Sequence, residues 1–244
     1  MIIEIKDLVV KLKEREILKK INLEVEEGQS FVILGPSGSG KTVLLKSMVG
    51  LIKPDSGTLK VLGYDMSNIS VKDLFDLRKK TGMVFQNSAL FDSMTVMENV
   101  GFSLIEHLKL PEEEVRKQVQ QALSAVGLTD VLDKMPEELS GGMRKRVGIA
   151  RALVFKPRII FYDEPTAGLD VITSASIVNL MGKIHKEFNT TDVIVTHDLN
   201  IGSKLADKIA IIYNGEILGT GKWEELLESK NEFIRHFLNA GESI

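Results

Sequence analysis

The run Gly35-Pro36-Ser37-Gly38-Ser39-Gly40-Lys41-Thr42 carries the strongest chemical signal in the chain. Its glycines let the backbone wrap N–H groups around phosphate oxygens, Lys41 reaches the terminal phosphates, and the Thr42 hydroxyl can hold Mg2+. A helix that starts here, through Lys41, Thr42 and Val43, turns its positive end toward the anion. A second signal is Ile159-Ile160-Phe161-Tyr162-Asp163-Glu164, an apolar strand ending in two carboxylates. Such a strand places its charges at the carboxyl edge of a sheet, where α/β folds bind ligands. Asp163 suits the water shell of Mg2+, and Glu164 suits positioning or deprotonating an attacking water. A strand ending in Asp-Glu is commonplace on its own; beside a phosphate loop it reads as the other half of a phosphoryl-transfer site. The third signal is Leu139-Ser140-Gly141-Gly142-Met143. Ser140 is expected to cap the following helix, and the two glycines leave its amides open to an anion. The basic residues of that helix, Arg144, Lys145, Arg146 and Arg151, read mainly as a solvated face.

These residues need a scaffold, and the hydrophobic pattern supplies one. Phe31-Val32-Ile33-Leu34 is apolar on both faces, as a buried parallel strand should be, and runs straight into the phosphate loop. Ile21, Leu23 and Val25 alternate with Asn22, Glu24 and Glu26, the period of a half-buried strand. Short strands are expected at 58–62 and 83–85, and a helix from the phosphate loop to about Gly50. From 95 to 155 the character is helical. Pro111-Glu112-Glu113-Glu114 is a helix start, with carboxylates at the positive end of the dipole. Val115, Val119, Ala122, Leu123 and Val126 follow at helical spacing, and a helix after Ser140 ends before Pro157. Strand character returns at Ile159–Tyr162 and Val193–Val195 on either side of a helix over 172–188, then comes a hairpin turning at Asn214-Gly215. The amphipathic tail from Trp223 is expected to dock on its own domain, with contact to a second copy as the alternative. Alternating strand and helix predicts a parallel α/β core interrupted by helices.

Length and composition narrow the class further. At 244 residues the chain is one large domain or one domain with an insertion, long enough to bury a core without disulfides. Hydrophobic residues make up 43% and charged residues 27%, which excludes wholesale disorder. The net charge of −3 gives no reason to expect a nucleic-acid partner. With no cysteine, thiolate catalysis and zinc–thiolate sites are excluded. The N-terminus lacks the layout of a signal peptide, and no stretch of ~18 apolar residues would span a membrane. A soluble, intracellular, compact chain is the expectation.

Together these segments resemble the ATP-binding subunit of ABC transporters over nearly the whole chain. Walker A matches Gly35 to Thr42, the Q-loop glutamine is Gln86 in Met83-Val84-Phe85-Gln86, and the signature is Leu139 to Met143. Walker B ends at Asp163 with Glu164 after it, the D-loop is Ala167-Gly168-Leu169-Asp170, and the switch histidine is His197 in Thr196-His197-Asp198. The resemblance implies a P-loop NTPase (RecA-like) core with an antiparallel β subdomain over 1–94 and 156–222. It further implies a helical subdomain inserted over 95–155 and a helical tail over 223–244. ATP and Mg2+ are the implied cofactors, with Gly35 to Val43 and Ser140, Gly141 and Gly142 on the nucleotide. Thr42, Gln86 and Asp163 would hold the metal, and Lys41, Gln86, Glu164 and His197 would serve catalysis. A head-to-tail dimer is implied, in which the signature of one copy closes over ATP on Walker A of the other.

Met143 at the signature's end, and the segment Asn87 to Val100 after Gln86, look like the ATPases of Mla/MCE-type phospholipid transport systems. Integral membrane permease subunits are then expected partners, an accessory subunit is open, and the chain would work peripherally on the cytoplasmic face of the inner (plasma) membrane. In that family the segment 85–100 forms a groove for the permease, to which Leu90, Phe91 and Met94 would contribute. The alternatives are the ATPase of a small-solute importer and a soluble non-transport ABC ATPase. Two positions depart from the family pattern. Val171 follows the D-loop where proline is usual, with little expected consequence. Leu12 falls at or near the position of the aromatic that stacks on adenine. In a competition assay the chain is therefore expected to discriminate ATP from GTP less than relatives with the aromatic; equal or stronger discrimination would contradict this.

Overall fold

The computed structural model describes residues 1–239. In chain order they form β1 (Ile3–Leu12), β2 (Arg15–Val25), β3 (Ser30–Leu34), α1 (Lys41–Met48), β4 (Ser56–Val61), β5 (Tyr64–Asp65) and α2 (Val71–Lys79). There follow β6 (Thr81–Val84), α3 (Val96–Ser103), α4 (Glu112–Ala125), α5 (Gly141–Leu153), β7 (Ile159–Asp163) and α6 (Val171–Phe188). The described chain closes with β8 (Thr191–Thr196), α7 (Leu199–Leu205), β9 (Lys208–Tyr213), β10 (Glu216–Gly221), α8 (Trp223–Leu227) and α9 (Glu232–Asn239). Residues 240–244 of the expected tail lie outside the described residues. Among the described residues no helix is long and apolar enough to cross a membrane. The chain divides into two compact units, residues 1–79 with the chain from 190 onward, and residues 80–189.

In the first unit an antiparallel sheet runs β2-β1-β4-β5. On β2, Ile21, Leu23 and Val25 are buried while Asn22 and Glu24 are exposed, as the alternation demands. A second set of strands runs β10-β9-β3-β8, with β3 parallel to both β8 and β9. Every residue of β3 and of β8 is buried, and their centres, Phe31–Leu34 and Val193–Val195, are apolar on both faces.

The β9–β10 hairpin pairs Tyr213 with Glu216 across Asn214 (φ 49°) and Gly215 (φ 81°), the left-handed pair that a two-residue turn of this twist requires. The Gly215 N–H donates to the Ser39 carbonyl at 3.0 Å, and the Gly215 carbonyl accepts from Lys19 N–H at 2.8 Å. The turn is thus tied to the phosphate loop on one side and to β2 on the other. The tail docks on the same unit. Ile234 and Leu238 are buried, and the Phe233 ring lies 4.2 Å from Tyr213 and 5.8 Å from Phe237.

In the second unit β6 and β7 pair in parallel, with Val84 opposite Tyr162. The helices of 95–155 share this unit with those strands and with α6. α4 follows Pro111 and buries Val115, Val119, Ala122 and Leu123, the periodic set. α3 opens with a reciprocal cap, in which Glu98 N–H donates to Thr95 Oγ1 at 3.2 Å and Thr95 N–H to Glu98 Oε2 at 2.7 Å. A π-helical turn, Leu104–Leu108, extends it.

A Cβ at position 215 would sit 2.2 Å from the Ile17 carbonyl oxygen, in addition to the strain of a positive φ. Gly215→Val is expected to destabilise the fold by about 2–4 kcal/mol in chemical denaturation; parental stability would contradict it.

Candidate functional site

In the first unit β3 delivers the chain to Gly35 at its carboxyl end, and α1 leads away from Gly40. Two glycines here are sterically fixed. A Cβ on Gly35 would lie 2.2 Å from the Ile212 carbonyl oxygen, and Gly40, at the start of α1, has φ 106°. Ser37 and Gly38 are exposed at the tip of the loop, with Pro36 half-buried and Ser39 buried beneath. Lys41 is only 5% exposed, and its ammonium folds back over the loop to donate to the carbonyls of Gly35 (2.8 Å) and Pro36 (3.0 Å). Thr42 and Val43 are half-buried in the first turn of α1. Leu34 stands opposite Thr196 in the β3–β8 register, so the exposed His197 emerges from the strand beside the one that feeds the loop. Asp198, next along, caps α7 by accepting from Asn200 N–H at 3.0 Å. Lys41, Thr42 and His197 therefore gather at the carboxyl ends of two adjacent parallel strands, where such folds bind ligands.

The second unit builds a corresponding edge. The register of Val84 with Tyr162 puts Gln86 and the Asp163–Glu164 pair side by side, at the carboxyl ends of β6 and β7. Asp163 and Glu164 are both buried, at 5% and 9% exposure, while Gln86 is exposed. Glu164 adopts a left-handed backbone, φ 45°. Ser140 caps α5, its Oγ accepting from Met143 N–H at 3.3 Å. Gly141 and Gly142 open the first turn, and a Cβ on Gly142 would press to 2.7 Å from Thr173 on α6. Asp170 caps α6 by accepting from Thr173 N–H (2.9 Å) and Oγ1 (2.6 Å), bonds that hold its carboxyl below the usual carboxylate range. The groups expected on Mg2+, the Thr42 hydroxyl, the Gln86 amide and the Asp163 carboxylate, are all hard oxygen donors, the chemistry that ion takes.

The basic residues of α5 are not the solvated face that their spacing predicts. Arg144 alone is exposed, and it donates to the Leu139 carbonyl at 2.7 Å. Arg146 reaches the Val126 carbonyl and, at 2.8 Å, Ser176 Oγ. Arg151 donates to the carbonyls of Ser88 and Ala89, the latter at 2.6 Å. Lys145 is 5% exposed and donates to the Gln86 carbonyl, with the Glu164 carbonyl 3.4 Å away. Burial lowers the Lys145 pKa, opposed by the charges of Glu164 and then Asp163. Each side chain reaches carbonyls at the ends of helices or in irregular segments, where the regular ladders stop, and these charges therefore turn inward. Sequence reasoning missed Lys145, yet a signal exists. It lies four and seven positions before the buried Ile149 and Ala152, on the inward face of the helix.

A model of the ABC transporter family matches residues 18–167. The chain is 40% identical over 237 residues to the "probable ribonucleotide transport ATP-binding protein mkl" of Mycobacterium leprae, covering 97% of this chain and 68% of that protein. It is 39% identical over 242 residues to the intermembrane phospholipid transport system ATP-binding protein MlaF of Haemophilus influenzae, covering 99% of this chain and 91% of that one. To the methionine import ATP-binding protein MetN of Carboxydothermus hydrogenoformans it is 41% identical over 201 residues, covering 82% of this chain and 59% of that one. Among solved structures, the ATP-binding cassette MJ0796, a dimer in a post-hydrolysis state bound to ADP and Pi, superimposes with a TM-score of 0.81 at 34% identity. That match covers 90% of this chain and 98% of the other. The fold is that of the P-loop NTPases, and the chain belongs to the ABC transporter family as one of its ATP-hydrolysing members.

Proposed function

We propose that this chain powers phospholipid transport through a membrane permease, hydrolysing ATP at two sites shared between two copies. The observation that carries the reading is the 39% identity to MlaF across 91% of that protein's length. A small-solute importer is the second reading, supported by the 41% identity to MetN over a shorter stretch of 201 residues. The chain's placement is then peripheral, on the cytoplasmic face of the inner membrane, held there by the permease. Phe91 at 47% exposure, beside the half-buried Leu90 and Met94, supports a patch for that partner. The buried Asn99 fixes the patch by donating to the carbonyls of Phe91, Met94 and Thr95 and accepting from Phe91 N–H.

In this reading the amides of the phosphate loop and Lys41 bind the phosphates of ATP, with Gly35 to Val43 as the cradle. Ser140, Gly141 and Gly142 of the second copy close over the same nucleotide, their amides directed by α5. Glu164 orients the attacking water and accepts its proton, and His197 holds the γ-phosphate from the far side. Thr42, Gln86 and Asp163 would hold Mg2+, which when bound neutralises charge on the phosphate oxygens. Because the γ-phosphate adds contacts only in the closed dimer, ATP favours closure and hydrolysis releases it.

Glu164→Gln is expected to bind ATP with parental affinity, lose about 10²–10⁴-fold in kcat, and accumulate as an ATP-bound dimer on gel filtration. Near-parental turnover would remove Glu164 from the role of base. Lys41→Ala is expected instead to weaken nucleotide binding itself, read by equilibrium titration. Purified from detergent-solubilised membranes, the chain should bring a permease with bound phospholipid. A permease loaded with a polar solute would favour the importer, and no permease would leave a non-transport ATPase.

A further inference from the structure

α5 begins at the capping Ser140, and three of its residues face the segment that follows β6. The Lys145 ammonium donates to the Gln86 carbonyl and lies 3.4 Å from the Glu164 carbonyl. One turn on, Gly148 has no side chain, and a Cβ there would touch Ser88 Cβ at 3.4 Å. A turn further, Arg151 donates to the carbonyls of Ser88 and Ala89. The backbone that these residues hold is unusual. Ser88 (φ 60°), Ala89 (φ 45°) and Glu164 (φ 45°) are all left-handed without being glycine, a conformation that persists only where the surroundings enforce it. Of these two donors, Lys145 is the one that reaches both the segment carrying Gln86 and the strand end carrying Glu164.

We infer that Lys145 is a positioning residue for hydrolysis: by bridging the carbonyls of Gln86 and Glu164 it fixes the left-handed turn at Glu164, and so the direction of its carboxylate relative to Gln86. The inference rests on the reading of Glu164 as the carboxylate that orients water. Lys145 does not touch nucleotide in this assignment. Its loss misdirects Glu164 while leaving the phosphate loop as it was, and so lowers kcat without raising KM. It is also distinct from a general contribution to folding, because a second donor of similar length restores the bridge whereas an apolar side chain of similar length does not.

The test is steady-state ATP hydrolysis by the full chain, with thermal denaturation and equilibrium ATP binding on each variant. Lys145→Met is expected to lose about tenfold or more in kcat, with KM for ATP within about twofold of the parent. Lys145→Arg keeps long cationic donors and is expected to stay within about threefold in kcat. Lys145→Gln keeps a donor but shortens its reach, and its kcat is expected to fall between those two. A parental kcat for Lys145→Met, or for Lys145→Gln should Met at 145 prevent folding, would overturn the inference. So would an Arg variant as slow as the Met variant, or a raised KM at unchanged kcat. Glu164→Gln in the same assay separates the two levels: near-parental turnover there defeats the reading of Glu164, whereas an inactive Glu164→Gln beside a fully active Lys145→Met defeats only the role of Lys145.

Discussion

A backbone that wraps phosphate or aims a carboxylate at water has to leave helix and strand, yet its buried peptide groups must still find hydrogen-bond partners. In the first unit the Lys41 ammonium meets that demand at the carbonyls of Gly35 and Pro36. In the second, Lys145, Arg151 and Asn99 meet it along the segment from Gln86 to Thr95. Cationic and amide donors suit this work because one head group serves several carbonyls at once, and charge strengthens each bond in a dry setting. Both units therefore hold their reactive loops through buried side-chain donors. The loops are thus shaped from below by donors that bind their carbonyls.

The strands supply the rest of the placement. β3, β7 and β8 are buried along their whole length, so each is held within the hydrophobic interior. In the first unit the carboxyl ends of β3 and β8 lead into Gly35 and His197, and in the second β7 ends on Asp163. In each unit a single parallel register, Leu34 with Thr196 or Val84 with Tyr162, aligns two loop residues that are far apart in sequence. Apolar burial decides where the polar residues emerge.

What was legible in the sequence was local. Alternation marked β2, unbroken apolar runs marked β3 and β7, Asn-Gly marked the hairpin, and Ser before paired glycines marked the start of α5. Each of these signals is set by backbone sterics or by burial within a few residues. What was illegible depended on distant partners. Lys145 reads as one more charge in Arg-Lys-Arg until the chain brings Gln86, 59 residues away, against it. The left-handed turn at Glu164 has no glycine to announce it. The periodicity that puts Lys145 on the inward face was present, but a cation at such a position argues for solvent unless its carbonyl partners are known.

The hairpin turn has a second neighbour besides the phosphate loop. Its strand residue Tyr213 packs at a tilt against Phe233 of the tail helix, and Phe233 stacks in turn on Phe237. Two residues beyond Tyr213, Gly215 holds Ser39 within the phosphate loop. An unbroken series of contacts thus joins the C-terminal helix to the loop that carries Ser39, on the scale of one hairpin. The C-terminal helix is consequently a natural handle, at which a force or a contact applied far from Ser39 alters how firmly that loop is braced.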